Sequence, residues 1–333
     1  MPETMNAVVV SEHGGPESLE IQQVGRPAPD TGQVLVRLSV AGVNYLDVAQ
    51  RKGATPLRAP FPAGVEGVGV IEALGEEVTG LAPGQRVGWL AGGQGSFSEF
   101  AVVDASKVVS IPDSVDDATG VAALMQGITA HYLVHDTYAV GPGDTVLIHA
   151  AAGGVGQWLT QIAKLKGARV IGTVSTKAKQ DVALANGADE VIGYDGFADK
   201  VREFTGGEGA SVVYDGVGKA TFDQSLRALR IRGVLVAIGG ASGPIPTLDV
   251  NSLAGLGSLF VTRPTVVHHV RTAEEIAGRA SDIFDWIASG AIKVPQVTQY
   301  AIADVVEAFR ALESRGTTGK VVLKHAADSS HME

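Results

Sequence analysis

Residues 149–156 read His149-Ala-Ala-Ala-Gly-Gly-Val-Gly156. Ahead of them lies Asp144-Thr-Val-Leu-Ile148, an apolar run with the pattern of a buried strand. Behind them lies Gln157-Trp-Leu-Thr-Gln-Ile-Ala-Lys-Leu-Lys166, which has the pattern of a helix. A glycine-rich turn between strand and helix commits the chain to a βα crossover. The glycines let backbone approach a pyrophosphate, and the helix start offers unpaired N–H groups and a positive dipole end. Such turns also arise where a helix merely packs on a strand. The placement within a βαβ unit favours a dinucleotide.

The surrounding pattern agrees. Strands are expected at 168–173, 190–192, 211–214 and 233–238, alternating with helices at 177–186, 197–204 and 219–229. That alternation predicts a mostly parallel sheet covered on both faces. One long helix is expected over 117–136. Before it, short β-type runs at 7–10, 19–24, 33–40, 68–74, 86–90 and 97–103 are punctuated by Gly and Pro, which predicts a compact β-barrel-like domain. A strand over 258–262, helices over 272–289 and 303–313, and a strand over 320–324 lack glycine turns and are expected to complete that first domain. The fold class is therefore α/β, with a first domain of 1–125 and 264–333 and a nucleotide domain of 126–263 inserted in it.

The formal charge is −10 with no block of Lys or Arg, which argues against nucleic acid or an anionic membrane as partner. The sequence has no cysteine, so disulfides and thiolate metal sites are excluded. No run is long enough to span a bilayer and Met1-Pro-Glu-Thr is unlike a signal peptide, so a cytoplasmic location is expected. Residues 326–333 read as a frayed tail. His131 and His135 stand i, i+4 on the expected helix, but without a third ligand they read as a core or surface pair, as does His268-His269. No Gly-x-Ser-x-Gly motif is present, which weakens a hydrolase reading.

The end of the second nucleotide-domain strand bears on the cofactor. An acid about 20 residues after the glycines would take the ribose hydroxyls and repel a 2′-phosphate. Gly172-Thr-Val-Ser-Thr-Lys-Ala-Lys179 has no acid, and its hydroxyls and lysines suit a phosphate, which predicts NADPH. Tyr194 follows the third strand and is placed to close over the same group. Lys177 and Lys179 also fit the plainer reading of solvated helix-start residues. Asp215-Gly-Val-Gly218 and Ile238-Gly-Gly-Ala-Ser242 put glycines at two further strand ends, either for cofactor approach or as ordinary turn glycines.

Together with those motifs, His13-Gly-Gly-Pro-Glu17, Ala41-Gly-Val-Asn-Tyr-Leu-Asp47, Gly257-Ser-Leu-Phe-Val-Thr-Arg-Pro264, Ile287-Ala-Ser-Gly-Ala-Ile-Lys-Val294 and Leu312-Glu-Ser-Arg315 run along nearly the whole chain. In this order they resemble the zeta-crystallin-like quinone oxidoreductases, a zinc-free branch of the medium-chain dehydrogenase/reductase superfamily. The resemblance implies a GroES-like β-barrel domain and a Rossmann domain with NADPH in the cleft between. It implies that Gly153, Gly154 and Val155 meet the pyrophosphate, and that Ser175, Lys179, Tyr194 and Arg315 surround the 2′-phosphate. Tyr45, Leu46, Asp47, Gln126, Thr129, Tyr132, Gly216, Val217, Gly239, Gly240, Ala241, Ser242, Thr262 and Pro264 would line the rest of the cofactor. It further implies a homodimer, with the strand around 258–262 pairing across the two-fold.

Zinc alcohol dehydrogenases of the superfamily carry a catalytic Cys where Asn44 stands, and a His where Val65 stands in Gly64-Val65-Glu66. Without those donors zinc has no tetrahedral site, and alcohol oxidation loses its Lewis acid. Quinones and enones are already electrophilic and need mainly positioning. Asn44 is the candidate hydrogen-bond donor near the nicotinamide or acceptor oxygen, Asp47 is placed to orient the carboxamide, and Glu66 to hold neighbouring loop amides. A purely structural bonding role stays open for all three, and water is the expected proton source. Relatives often carry Tyr at Ala49 and Lys at Gln126, so acceptor preference is expected to differ, towards larger quinones. The expected activity is quinone reduction by NADPH. The alternatives are enone or alkenal double-bond reduction, enoyl-thioester reduction, and an NADPH-binding structural or RNA-interacting role, the last disfavoured by the acidic balance.

Overall fold

The structure, a computed structural model, describes residues 3–325, so the tail at 326–333 lies outside the described residues. The chain opens with strands β1 (Thr4–Val10), β2 (Leu19–Gly25) and β3 (Gln33–Val43), then the short helix α1 (Tyr45–Arg51). Strands β4 (Phe61–Pro62), β5 (Glu66–Leu74), β6 (Arg86–Leu90), β7 (Phe100–Asp104) and β8 (Val108–Ser110) follow. Helix α2 (Asp117–Ala122) starts where the Asp116 carboxylate caps the Thr119 N–H at 3.0 Å.

The helix expected over 117–136 has the right extent but not one geometry. After α2 it widens to i→i+5 turns over Ala123–Ile128, returns to α over α3 (Thr129–Tyr132), and widens again over Leu133–Thr137. Side chains from elsewhere enter the backbone ladder at both places. The Met125 N–H donates to Glu66 Oε1 at 2.6 Å, and the Tyr214 hydroxyl donates to the Leu133 carbonyl at 2.9 Å.

The middle of the chain alternates as expected. It runs β9 (Thr145–His149), α4 (Gly154–Leu165), β10 (Arg169–Thr173), α5 (Lys177–Ala185), β11 (Glu190–Ile192) and α6 (Phe197–Phe204). Then come β12 (Ala210–Asp215), α7 (Phe222–Ala228), β13 (Leu229–Ala237), the single turn α8 (Ser252–Gly255) and β14 (Phe260–Thr262). The chain closes with α9 (Ala273–Ala288), β15 (Val297–Ala301), α10 (Val305–Glu313) and β16 (Lys320–Lys324).

The described residues form two compact units, one of residues 3–125, 270–288 and 296–325, the other of 126–269 and 289–295. The first holds a three-stranded sheet, β2-β1-β4, and a seven-stranded sheet in which β15-β16-β3-β5-β6-β8 run in order and β7 also pairs with β3. The last strand of the chain thus completes the first unit: β16 runs antiparallel to β3, with Val321 opposite Val43. Val8, Phe97, Phe309 and Leu323 form part of one core there, and Val36, Val87 and Trp89 part of a second.

The second unit is built on a six-stranded sheet in the order β11-β10-β9-β12-β13-β14, every pair parallel. Numbered within the unit, the order is 3-2-1-4-5-6, the doubly wound Rossmann arrangement. The direction of winding reverses between β9 and β12, and the crevice beyond their carboxyl ends is where such sheets take ligands. Residues 149–156 leave β9 at that point.

Candidate active site

The turn after β9 is shaped by close backbone approach. Ala150 sits at φ +51, the Gly153 N–H returns to the Ala150 carbonyl at 2.8 Å, and α4 begins at Gly154. A Cβ on Gly156 would fall 2.3 Å from the Ala150 oxygen and 2.8 Å from Ala151 Cα, so only glycine lets the helix start this close to the strand. A Cβ on Gly154 would meet the Gln126 amide, whose Oε1 is buried and has no hydrogen-bond partner among the described residues. Bare amides at a helix start beside an unmet acceptor fit a phosphate-containing ligand with hydroxyls near it. Tyr194 supports the same turn, its hydroxyl accepting the Ala150 N–H at 3.2 Å.

His149 stands under this turn and is buried. Its Nδ1 lies 2.8 Å from Thr173 Oγ1 and its Nε2 2.9 Å from Ser225 Oγ, which donates to Asp215 Oδ2 at 2.9 Å. Burial pushes the imidazole down to about 4, against the pull of Asp215, so it is neutral at pH 7. The Asp215 carboxylate also accepts the Val217 and Gly218 N–H groups at 2.9 Å each. One buried chain of bonds therefore links β9, β10, β12 and α7 beneath both glycine loops. The sequence drew attention to His149 only as part of a motif; its partners are set by the sheet order.

The loops at 216–218 and 239–243 are zipped together. A Cβ on Gly218, at φ +84, would lie 2.8 Å from Gly240 Cα, and one on Gly239 would lie 2.7 Å from the Gly216 oxygen. The Ser242 hydroxyl donates to the Val217 carbonyl at 2.7 Å, and the Ala241 N–H reaches Gly216 O at 3.2 Å. Gly218 and Gly239 thus have a packing reason whatever else they do. Beyond β13 and β14 opens a pocket of about 490 Å³ walled by Gly240, Pro244, Ile245, Val261 and Thr262.

At the end of β10, Ser175 is exposed and Lys179 half-buried, while the Thr176 hydroxyl caps α5 through the Lys179 N–H at 3.3 Å. Lys177 pairs with Asp181 at 2.9 Å on the solvated face, which matches its plainer reading. Thr129 lies half-buried on α3, and Val155 is half-buried in the first turn of α4. Tyr132 is buried, its ring stacked on His269 with centroids 4.0 Å apart. His269 also reaches Asp136 at 3.2 Å, and His131 and His135 stack on each other at 4.2 Å.

In the first unit, Asn44 opens α1 and is buried with its amide spent. Its Nδ2 donates to Glu66 Oε2 at 2.9 Å and to Gly42 O at 3.3 Å, and its Oδ1 accepts from Lys320 Nζ at 2.8 Å. The donor that the sequence suggested for the nicotinamide or acceptor is thus engaged within the protein. Glu66 holds the Met125 amide, which lies within the helical segment Ala123–Ile128 and not in a neighbouring loop. Its partner Lys320, fully buried at 2.5 Å from Glu66 Oε2, was not singled out in the sequence; only a lysine leading the apolar strand Lys320–Lys324 hinted at it. Asp47 is buried, with one oxygen accepting the Asn44 N–H at 2.7 Å and Oδ1 unpartnered among the described residues. Burial raises its carboxyl to about 7, opposed by the Asn44 N–H and Lys320. Tyr45 and Leu46 are exposed beside it, and Arg315 is exposed after α10. Val65 is a buried aliphatic, and among the described residues no group of three or more His, Asp or Glu is placed to hold a metal.

The comparisons with known proteins match both units. The family model described as "Alcohol dehydrogenase GroES-like domain" matches residues 30–113, and that described as "Zinc-binding dehydrogenase" matches residues 154–286. The donor set for zinc is nonetheless missing from this chain, which has Asn44 and Val65 and no cysteine. The chain is 40% identical to the quinone oxidoreductase of Pseudomonas aeruginosa over 314 residues, covering 93% of this chain and 97% of the relative. It is 39% identical over 326 residues to a 2-haloacrylate reductase of a Burkholderia species, covering 95% and 98%. The Escherichia coli quinone oxidoreductase, solved in complex with NADPH, superposes with a TM-score of 0.93 at 35% identity, covering 96% of this chain and 99% of that one. On these likenesses along its full length, this chain belongs to the quinone oxidoreductase family of the medium-chain dehydrogenases/reductases.

Proposed function

We propose that this protein is an NADPH-dependent quinone oxidoreductase that works without zinc. The observation that carries the reading is the bare, glycine-lined start of α4, followed by a β10 end with no acid between Thr173 and Lys179. When bound, NADPH supplies a hydride to an electron-poor quinone, and a proton from water completes the hydroquinone.

In this reading Gly153, Gly154 and Val155 take the pyrophosphate through backbone N–H groups. Ser175, Lys179 and Tyr194 take the 2′-phosphate. Gln126 Oε1 accepts a hydroxyl of the cofactor and so gains the partner it lacks. Gly216, Val217, Gly239 to Ser242, Thr262 and Pro264 line the remainder from the second unit, with Thr129 and Tyr132 behind. Asn44 acts by fixing the start of α1 through Glu66 and Lys320, and Asp47 by holding the same turn from its other side. The chain's part in the chemistry is to orient the nicotinamide and exclude water.

A homodimer through the edge strand β14 fits the 60% exposure of Phe260 there. A second reading, reduction of a conjugated double bond, is favoured by the 39% identity to a 2-haloacrylate reductase. Product analysis after incubation with NADPH and either a naphthoquinone or an enone separates the two. Hydroquinone formation supports the first reading, and a saturated ketone without quinone turnover supports the second. Among the described residues, no helix is long and apolar enough to cross a membrane.

A further inference from the structure

We propose that Ser225 is a positioning residue for the dinucleotide: its hydroxyl takes the Nε2 proton of His149 and so ties the turn at 150–156 to the loop at 216–218 in the form that binds the cofactor. The proposal rests on the reading above that the glycine turn after β9 takes the pyrophosphate.

Ser225 lies on α7 and is fully buried. Its oxygen stands 2.9 Å from each of His149 Nε2, Asp215 Oδ2 and the Thr221 carbonyl. A hydroxyl has one proton to give, and the carboxylate and the carbonyl can only accept. Were that proton given to the imidazole, both oxygens would face a bare lone pair. The imidazole is the member of the group that can donate, so His149 carries its proton on Nε2. Its bare Nδ1 then accepts the Thr173 hydroxyl at 2.8 Å. The Phe197 ring meets the imidazole edge-on, with centroids 4.7 Å apart, and hinders it from swinging away.

Each end of this chain holds a loop. The Thr173 carbonyl accepts the Ala151 N–H at 3.1 Å, and His149 is the last residue of β9, from which the turn springs. At the other end Asp215 accepts the Val217 and Gly218 N–H groups at 2.9 Å each and the Thr221 hydroxyl at 2.8 Å. The two loops leave β9 and β12, the strands between which the winding reverses. Without the Ser225 oxygen the Nε2 proton is buried with no acceptor, a cost large enough to shift the ring and the strand end that carries it.

The test is fluorescence titration of NADPH and NADH, with thermal unfolding and nitrogen NMR of the His149 ring alongside. The parent ring is expected to carry its proton on Nε2. Ser225→Ala is expected to raise the Kd of both cofactors roughly tenfold, since both carry the pyrophosphate and one buried bond is lost. Val201→Ala, a buried truncation on α6 away from both loops, is the control for lost stability and is expected to leave both Kd values within about twofold. Should Ser225→Ala not fold, Thr173→Val breaks the same chain at its other end with little change of shape and is expected to raise both Kd values alike. The proposal is overturned if the variant that folds binds NADPH as the parent does, if Val201→Ala weakens binding equally, or if the parent ring carries its proton on Nδ1. Gly156→Ala displaces the turn itself. If it too leaves NADPH binding unchanged, the reading of the turn fails and the proposal with it; if it weakens binding while Ser225→Ala does not, the proposal alone fails.

Discussion

Glu66 Oε2 and Lys320 Nζ lie 2.5 Å apart with neither side chain exposed, on two strands that flank β3 in the same sheet. The pair also engages the Asn44 amide at 2.9 and 2.8 Å and the Met125 N–H at 2.6 Å. It thereby fixes the start of α1 and the first wide turn at once.

Removing one member strands the other as a buried charge. Lys320→Met is expected to cost about 3–5 kcal/mol in urea unfolding at neutral pH, whereas Lys320→Met with Glu66→Gln is expected to recover most of that loss. A loss below about 1 kcal/mol for Lys320→Met would mean that the pair does not hold these elements.

Asp47 gives the first unit a pH dependence. Its folded carboxyl is raised by burial to about 7, above the ordinary 3.8. The native state therefore keeps a proton that the unfolded chain releases between about pH 4 and 7, and stability from this group falls as pH rises through that window. Asp47→Asn keeps an acceptor for the Asn44 N–H and removes the titration. The variant's stability relative to the parent should climb from pH 4 to 7 and level off above, and a difference that is flat with pH would refute the assignment.

His149 acts in the opposite sense. Its folded imidazole, lowered to about 4 by burial, lacks a proton that the unfolded chain binds below 6.5, so stability from this group falls as pH drops from 6.5 to about 4. Its ring proton shifts in an NMR titration should stay constant from pH 8 down to about 5. A midpoint near 6.5 would show the ring to be solvated rather than bonded to Thr173 and Ser225.

Gly156→Ala and Gly154→Ala separate two kinds of contact. The first drives a Cβ to 2.3 Å from the Ala150 carbonyl oxygen, which is backbone; the second meets only the end of the Gln126 side chain. Gly156→Ala is expected to lower stability by about 1–3 kcal/mol and to weaken NADPH binding at least tenfold, roughly the cost of displacing the turn. Gly154→Ala should leave the Tm nearly unchanged. Equal losses of stability in both variants, measured by thermal unfolding, would contradict this geometry.

What could be read from the sequence was local. The strand, glycine turn and helix around Gly153 to Gly156 announce themselves because period and spacing lie within one short stretch. The βα alternation from β9 to β13 follows the same rule. The partners of Glu66 and of Glu313 could not be read this way. Lys320 stands 254 positions from Glu66, and Arg51 stands 262 from Glu313, so only the sheet order and the packing of α10 bring them together. The wide turns at Ala123–Ile128 and Leu133–Thr137 were hidden for the same reason, since Glu66 and Tyr214 enter the helix from distant strands. Asn44 drew attention as a donor by its position; that its Nδ2 donates to Glu66 and its Oδ1 accepts from Lys320 depends on the sheet order.

Steady-state oxidation of NADPH by naphthoquinone or phenanthrenequinone, in the presence of a metal chelator and repeated with NADH, tests the proposed activity most directly. Quinone-dependent turnover with NADPH that the chelator leaves intact, and much weaker turnover with NADH, is the predicted result. No quinone-dependent oxidation, or activity abolished by the chelator, would contradict it.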